Sequence, residues 1–410
     1  MIDNPTSYAT LNNGIRIVFR HNNSSILYCG LVIGAGTRDE QTPDIYGMAH
    51  FIEHTLFKGT TRRSARQIIN RIEDVGGEIN AYTTKEETFF YAAVLPQYFA
   101  RTAELIADMV NNPAFPDKEV KKEIEVIYDE IESYNDTPSD LIYDDFEALM
   151  FKDHSLEHPI LGTRKTLRYM NGDKARKFMA ECYNTDNMVF FVQGNITFDK
   201  VMRIAERYLS QSPYHTRQYK RFQPLDYQPC DAVFRKHTHQ THVIIGGRAY
   251  SLYDQRQNAL TLLNNILGGG GMKSLLNLSL REQRGLVYTV ESAFSPFSDT
   301  GYWSVYFACE PDNVQLCKDL IYIQLRQLAE HPLTPTALNK YKRQLLGQMA
   351  ISNENQENSA LAMAKYMLYY NNAPTLEELY SRIEKLTAED LQQVAKDVFN
   401  TAKLTILQYK

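Results

Sequence analysis

The chain predicts an α+β protein of two homologous domains related by duplication, each a mostly antiparallel sheet packed with helices. Three observations carry that expectation. At 410 residues the chain is too long for one ordinary hydrophobic core. Short β-branched and aromatic runs are interleaved with stretches of helical period, which mixes the two element types throughout. The order of elements over residues 64–134 also recurs in the second half. Domains are therefore expected over 1–209 and 231–410, joined by a linker over 210–230.

Taken in order, residues 14–36 (GIRIVFRHNNSSILYCGLVIGAG) hold two strand-like runs split by the turn-rich HNNSS, as in a hairpin that opens a sheet. The loop GTRDEQTPDIYG leads into a helix around MAHFIEHTLF, with Gly59 placed to close it as a C-cap. Ser64 to Val75 has helical periodicity ended by Gly76-Gly77, and residues 78–94 (EINAYTTKEETFFYAAV) alternate as a pair of strands. Tyr98 to Asn111 returns to helix, Pro113 and Pro116 break it, and Lys118 to Tyr134 forms a long charged helix. Further helices and the buried strand NMVFFVQGNI follow. The stretch SQSPYHTRQYKRFQPLDYQPC then has no sustained period, which makes it the linker.

The second half repeats this plan. A strand (HVIIGGRAY) leads to a helix (DQRQNALTLLNNIL) in the place of the one around His50, then to a helix (KSLLNLSLREQ) and a strand pair (GLVYTVESAF, TGYWSVYFACE). A helix (VQLCKDLIYIQLRQLAE), a break at HPLTP and a long helix from Thr336 to about Met349 complete the match.

Composition excludes several classes. With 43% hydrophobic and 23% charged residues the chain is ordinary globular material, and a net charge of -5 gives no reason to expect nucleic acid or anionic membrane as a partner. No apolar run approaches the roughly 18 residues that span a bilayer. The start lacks the basic and apolar regions of a targeting segment. The five cysteines are odd in number, scattered and without a C-x-x-C pair, so they read as free thiols in a reducing compartment, and a cytoplasmic location is expected.

The chemistry gathers at His50-Phe51-Ile52-Glu53-His54. On a helix the imidazoles at i and i+4 share a face one turn apart and can reach one zinc ion. Glu53 lies beside them, so its carboxylate can approach a water at the metal without being a ligand, which is general-base geometry. This H-x-x-E-H order inverts the commoner H-E-x-x-H. A second match, His154 to His158, is followed at once by Pro159 and reads as a loop. His237, His239 and His242 have no carboxylate with them, and the GGGG run at 268–271 lacks the ending of a phosphate loop, so neither is taken as a site.

Two histidines call for a third, distant carboxylate. On the helix over 118–134, Glu123 and Glu130 are seven apart and share a face with Ile127, whereas Glu125, Asp129 and Glu132 point elsewhere. Periodicity leaves Glu123 and Glu130 both open.

The chain resembles the pitrilysin family of zinc peptidases, in its half-length branch with the mitochondrial processing peptidase and bacterial relatives. The resemblance rests on GTRDE…GMAHFIEHTLFKGT, VGGEINAYTTKEETFFYAAV, EIEVIYDEIESYNDTPSD, HPILGT and LGGGGMKSLLNLSLREQRGLVYTV, in that order along nearly the whole chain. It implies one Zn2+ per chain held by His50, His54 and Glu130, with Glu123 orienting a ligand. It also implies an Arg281–Tyr288 pair, the Arg anchoring a peptide carbonyl and the Tyr donating to the oxyanion. In double-length relatives that pair comes from the opposite half, so here a homodimer enclosing a chamber is expected, with the pair acting in trans. The segment GGEINAYT resembles the family's edge strand, on which an extended peptide docks, and Asn80, Ala81 and Thr83 are the expected contacts. The implied activity is zinc-dependent endopeptidase. The alternative is a non-catalytic, peptide-binding subunit supporting an active partner, although such subunits typically lack intact zinc ligands.

Overall fold

Residues 16–21, 27–33, 88–94 and 188–194 are rich in Val, Ile, Phe and Tyr, which suits them to strands that bury both faces. In the computed structural model, which describes residues 6–217, 219–225, 227–236 and 238–410, these segments form the middle of a six-stranded sheet. Its strands are β1 (Thr6–Thr10), β2 (Arg16–His21), β3 (Leu27–Ile33), β4 (Glu78–Thr83), β5 (Thr88–Val94) and β6 (Met188–Gly194), in the order β1-β2-β6-β3-β5-β4. Only β2 and β6 run parallel.

One face of this sheet carries Ile17, Phe19, Leu31, Ile33, Phe90 and Phe190. They pack against helix α1 (Met48–Leu56), helix α2 (Ala65–Glu73) and helix α3 (Phe99–Asn111), with α4 (Asp117–Asn135) joining the same cluster through Val120 and Ile127. The opposite face, with Val18, Val32, Phe89 and Phe191, is covered by Ala360, Met363 and Met367 of the helix Gln356–Tyr370. Burying each such Phe or Leu contributes about 1.5–3 kcal/mol, so the sheet is held from both sides. β4 is different: it lies at the edge, pairs only with β5 and keeps its other side without a strand among the described residues.

The second sheet has the order β7-β11-β8-β10-β9, with β7 (Asp231–Phe234), β8 (Thr241–Ala249), β9 (Val287–Pro296), β10 (Gly301–Cys309) and β11 (Thr405–Tyr409). Again one pair, β7 with β11, is parallel and the rest are antiparallel. With β1 set aside, β2-β6-β3-β5-β4 and β7-β11-β8-β10-β9 show the same succession of pairings. The expected α+β duplication is therefore visible in topology as well as in element order.

The two compact units are not the contiguous halves 1–209 and 231–410. The first consists of the chain up to Glu132 with His158–Arg221 and Ser352–Thr375, and the second of Ser133–Glu157, Phe222–Ile351 and Leu376–Lys410. The helix Pro138–Met150 thus belongs to the second unit, where Ile142, Phe146 and Met150 pack on Ile244, Tyr302 and Tyr306. Apolar periodicity says that such a helix must be covered but not by which sheet.

Other expectations need correction. The expected hairpin over residues 14–36 does not form: β2 pairs with the preceding β1 and with β6, and β6 lies between β2 and β3. Helix α1 ends at Leu56 and Gly59 lies beyond it with φ +149, bridged to Ser64, because the chain turns before Gly59 is reached. The expected helix KSLLNLSLREQ widens into a six-residue π-helical stretch, Asn277–Glu282. Within the expected linker, Arg217 and Arg221 are paired with Asp39, so these two residues belong to the first unit. The second H-x-x-E-H match is non-helical, as expected. His237 lies outside the described residues, while His242 shares a hydrogen bond with the Tyr306 hydroxyl at 2.8 Å. Among the described residues no helix is long and apolar enough to cross a membrane.

Candidate metal centre

Helix α1 is set by its apolar residues. Met48, Ala49, Phe51, Ile52 and Leu56 are fully buried, which fixes the rotation of the helix and turns His50, Glu53 and His54 to one side. Its N-cap, Gly47, has φ +94, and a Cβ there would stand 2.9 Å from Gly162 Cα. Having no side chain, Gly47 leaves the first N–H groups to Glu40, which accepts from Gly47 N at 2.7 Å and Ala49 N at 2.8 Å. A carboxylate at a helix N-terminus is also favoured by the helix dipole. Burial nevertheless pushes the Glu40 carboxyl well above its ordinary range.

The His50 and His54 rings stand 4.6 Å apart between centroids. Helix α4 brings Glu130 to them, with Oε2 3.7 Å from His50 Nε2 and 3.5 Å from His54 Nε2. Four ligands arranged tetrahedrally at about 2.1 Å from zinc are separated by about 3.4 Å, so these spacings suit one ion held by two imidazoles and a carboxylate. His50, His54 and Glu130 are the one group among the described residues placed to hold a metal, their candidate ligand atoms all lying within 4.8 Å of one another. Burial, with the neighbouring His54, lowers the His50 pKa to about 3, which keeps its nitrogens neutral and available for coordination. Its Nδ1 is buried without a hydrogen-bond partner among the described residues.

The two acids left open by periodicity separate here. Glu123 is 5% exposed and turns inward, with Oε2 3.3 Å from His54 Nδ1 and Oε1 2.8 Å from Lys58 Nζ. If the Nδ1 of His54 donates to Glu123, the Nε2 lone pair is free to face Glu130, an arrangement that fixes the tautomer and orientation of the ring. Glu130 keeps a side-chain exposure of 44%, as suits a ligand beside an open coordination position.

Glu53 is held by Thr83, whose hydroxyl donates to Glu53 Oε2 at 2.6 Å. Burial raises the Glu53 pKa and Glu130 adds to that, against the Thr83 hydrogen bond and the His54 charge. A raised carboxyl suits a group that takes up and returns a proton near neutral pH. Thr83, expected as a substrate contact, is thus also a partner of the base. Asn80 is exposed and Ala81 half-buried on the same edge strand. Arg281 and Tyr288 lie together in the second unit, the guanidinium carbon 5.8 Å from the ring centroid, with Tyr288 81% exposed and Arg281 Nε 3.8 Å from Glu282.

Sequence reasoning missed the residues that brace the site. Asp39 accepts from Arg221 in a fork at 2.9 and 2.7 Å, and Glu86 accepts from Arg38 at 2.7 Å and lies 3.1 Å from Arg221. The available signal was the charged triplet Arg38-Asp39-Glu40 standing just before an apolar helix.

Residues 16–164 match the family model described as insulinase, peptidase family M16, and residues 169–345 match the one described as the M16 inactive domain. The second matched stretch contains no H-x-x-E-H. A Bacillus subtilis protein named an uncharacterised zinc protease, YmxG, is 33% identical over 95% of this chain and 95% of its own length. A Streptomyces coelicolor protein, also named an uncharacterised zinc protease, is 34% identical over 95% of this chain and 86% of its own length. In fold the chain is similar to a protease from Helicobacter pylori, with a TM-score of 0.90 and 21% identity over 99% of this chain and 100% of that one. It is similar as well to a peptidase M16 inactive domain from Pseudomonas fluorescens, with a TM-score of 0.90 and 20% identity over 98% of each chain. Two domain models in succession and relatives above 30% identity over nearly their full length bear out the pitrilysin resemblance: the chain belongs to peptidase family M16.

Proposed function

We propose that the chain is a zinc-dependent endopeptidase acting on peptides or unstructured segments bound in extended form. The observation that carries this reading is the convergence of His50 Nε2, His54 Nε2 and Glu130 Oε2 from helices far apart in sequence, with Glu53 beside them. A zinc ion held by those three atoms would act as a Lewis acid, making a water acidic near pH 7 and polarising a carbonyl. Glu53 would take a proton from a water attacking the scissile carbonyl and return it to the leaving amine. His54 keeps its orientation through Glu123.

Peptide docks on the free side of β4 near Asn80, Ala81 and Thr83 by adding a strand, so backbone hydrogen bonds give affinity with little demand on sequence. In this reading the active species is a homodimer enclosing a chamber. Arg281 and Tyr288 of one protomer serve the other's zinc, anchoring a carbonyl and donating to the oxyanion.

The test uses the purified chain and an unstructured peptide, with and without chelator, alongside Glu53→Gln. Chelator-sensitive cleavage by the parent, and a variant that binds zinc but does not turn over, are expected. A variant that cleaves near the parent rate refutes the assignment of the base. A parent that binds peptide and never cleaves it refutes the enzyme and leaves a supporting subunit. Sedimentation of the active species checks the dimer.

A further inference from the structure

The strand expected to dock peptide and the carboxylate expected to move the proton are joined by one hydrogen bond. Thr83 is the last residue of β4, paired across the hairpin with Thr88. Its hydroxyl donates to Glu53 Oε2, while Glu53 Oε1 has no hydrogen-bond partner among the described residues. The carboxylate therefore has one anchored oxygen and one oxygen left to accept a proton.

The donor stands on a fixed support. The turn that follows Thr83 is fastened at three successive charged side chains. Lys85 Nζ donates to the His158 carbonyl at 2.5 Å, Glu86 accepts from Arg38 at 2.7 Å and meets Arg221 at 3.1 Å, and Glu87 accepts from Lys365 at 2.5 Å and from the Tyr369 hydroxyl. All three turn residues are buried despite their charges. Thr84 N also donates to Glu87 O at 2.8 Å, which closes the turn. A hydroxyl carried on such a frame has little freedom of its own, so its position dictates the rotamer of the glutamate it holds. An ordinary β-branched strand residue would need no partner on α1, and a solvated threonine would not hold a half-buried acid at 2.6 Å.

We propose that Thr83 is a positioning residue that holds Glu53 through Oε2 and ties the general base to the strand on which peptide docks. This inference rests on the zinc-peptidase reading. It adds that the base is aimed by the substrate-binding strand and not by α1 alone.

The test is Thr83→Val, which keeps the β-branched shape and strand propensity and removes only the donor, compared with Thr83→Ser, which restores it. With the zinc-loaded protein, Thr83→Val is expected to lower kcat about 10- to 100-fold with KM changed less than about twofold, the loss typical of a misaimed catalytic group. Zinc affinity by chelator competition stays at the parent value, Thr83→Ser recovers most of kcat, and a crystal structure of metal-free Thr83→Val has the Glu53 carboxylate in more than one rotamer. Parental kcat in Thr83→Val, or a single unchanged Glu53 rotamer, overturns the inference while leaving the peptidase reading intact. Weakened zinc binding in Thr83→Val, or no recovery in Thr83→Ser, overturns it by placing the role of Thr83 in the metal site or the strand. A parent chain without chelator-sensitive cleavage overturns both.

Discussion

Replacing Glu123 by Gln tests whether the metal site depends on a carboxylate that never touches the metal. Glu123 is buried between His54 Nδ1 at 3.3 Å and Lys58 Nζ at 2.8 Å. Gln keeps the size of the side chain and an acceptor oxygen for His54, but removes the charge that makes the imidazole a stronger donor of its Nε2 lone pair. Loss of such a partner typically weakens metal binding 10- to 100-fold. The long contact to His54 and the retained acceptor place this variant at the low end, about tenfold, or about 1.4 kcal/mol. Lys58 loses its partner too, but with a side chain 30% exposed it is solvated at little cost. Zinc dissociation constants from chelator competition give the answer, with metal-free thermal unfolding run beside them to show that the fold is unchanged. Glu132→Gln on the same helix is the control, since Glu132 only pairs with Arg164 at the surface. The reasoning is refuted if Glu123→Gln binds zinc as tightly as the parent, or if Glu132→Gln weakens it as much.

Asp39→Asn should destabilise the first unit by about 3 kcal/mol in urea unfolding, the low end for breaking a buried pair, because it removes the forked carboxylate partner of Arg221 and leaves it facing Glu86 alone, which Arg38 shares; a loss under about 1 kcal/mol would contradict this. Burial pushes the Asp39 carboxyl up, but Arg221, Arg217 and the Gly36 N–H outweigh it and hold the pKa below its ordinary value. The stabilisation is therefore complete above the unfolded pKa of about 3.9 and is lost as pH falls through the folded value. Stability curves from pH 7 down to pH 3 should consequently drop more steeply for the parent than for Asp39→Asn. Gly47→Ala should cost at least about 1–2 kcal/mol, read from the thermal midpoint, since alanine is disfavoured at φ +94 and its Cβ would meet Gly162. Glu53→Gln and Thr83→Val, described above, separate the proton step from metal binding.

Local chemistry was legible in the sequence and long-range chemistry was not, for a physical reason. The i, i+4 histidines and the intervening glutamate obey the geometry of one helical turn, so their common side follows from their spacing. Strand alternation and helix period likewise gave the sheet elements, and their repetition revealed the duplication. Glu123 and Glu130 share one helix face, and periodicity could not say which meets the metal. What separates them is the loop after α1, which brings Lys58 to Glu123 and leaves Glu130 to both Nε2 atoms. The Asp39–Arg221 fork and the Thr83–Glu53 bond pair residues with no periodic relation. The hidden part has a common feature: Arg38, Asp39, Glu40, Lys85, Glu86 and Glu87 are charged residues in loops, which composition alone assigns to solvent, yet all are buried here. Burial of a charge is stable only with a partner in place, so these loops are as firmly determined as the helices they flank. A site built from one short helix and an edge strand needs that firmness, because neither element has enough apolar surface to fix its position to the fraction of an ångström that aiming a carboxylate requires.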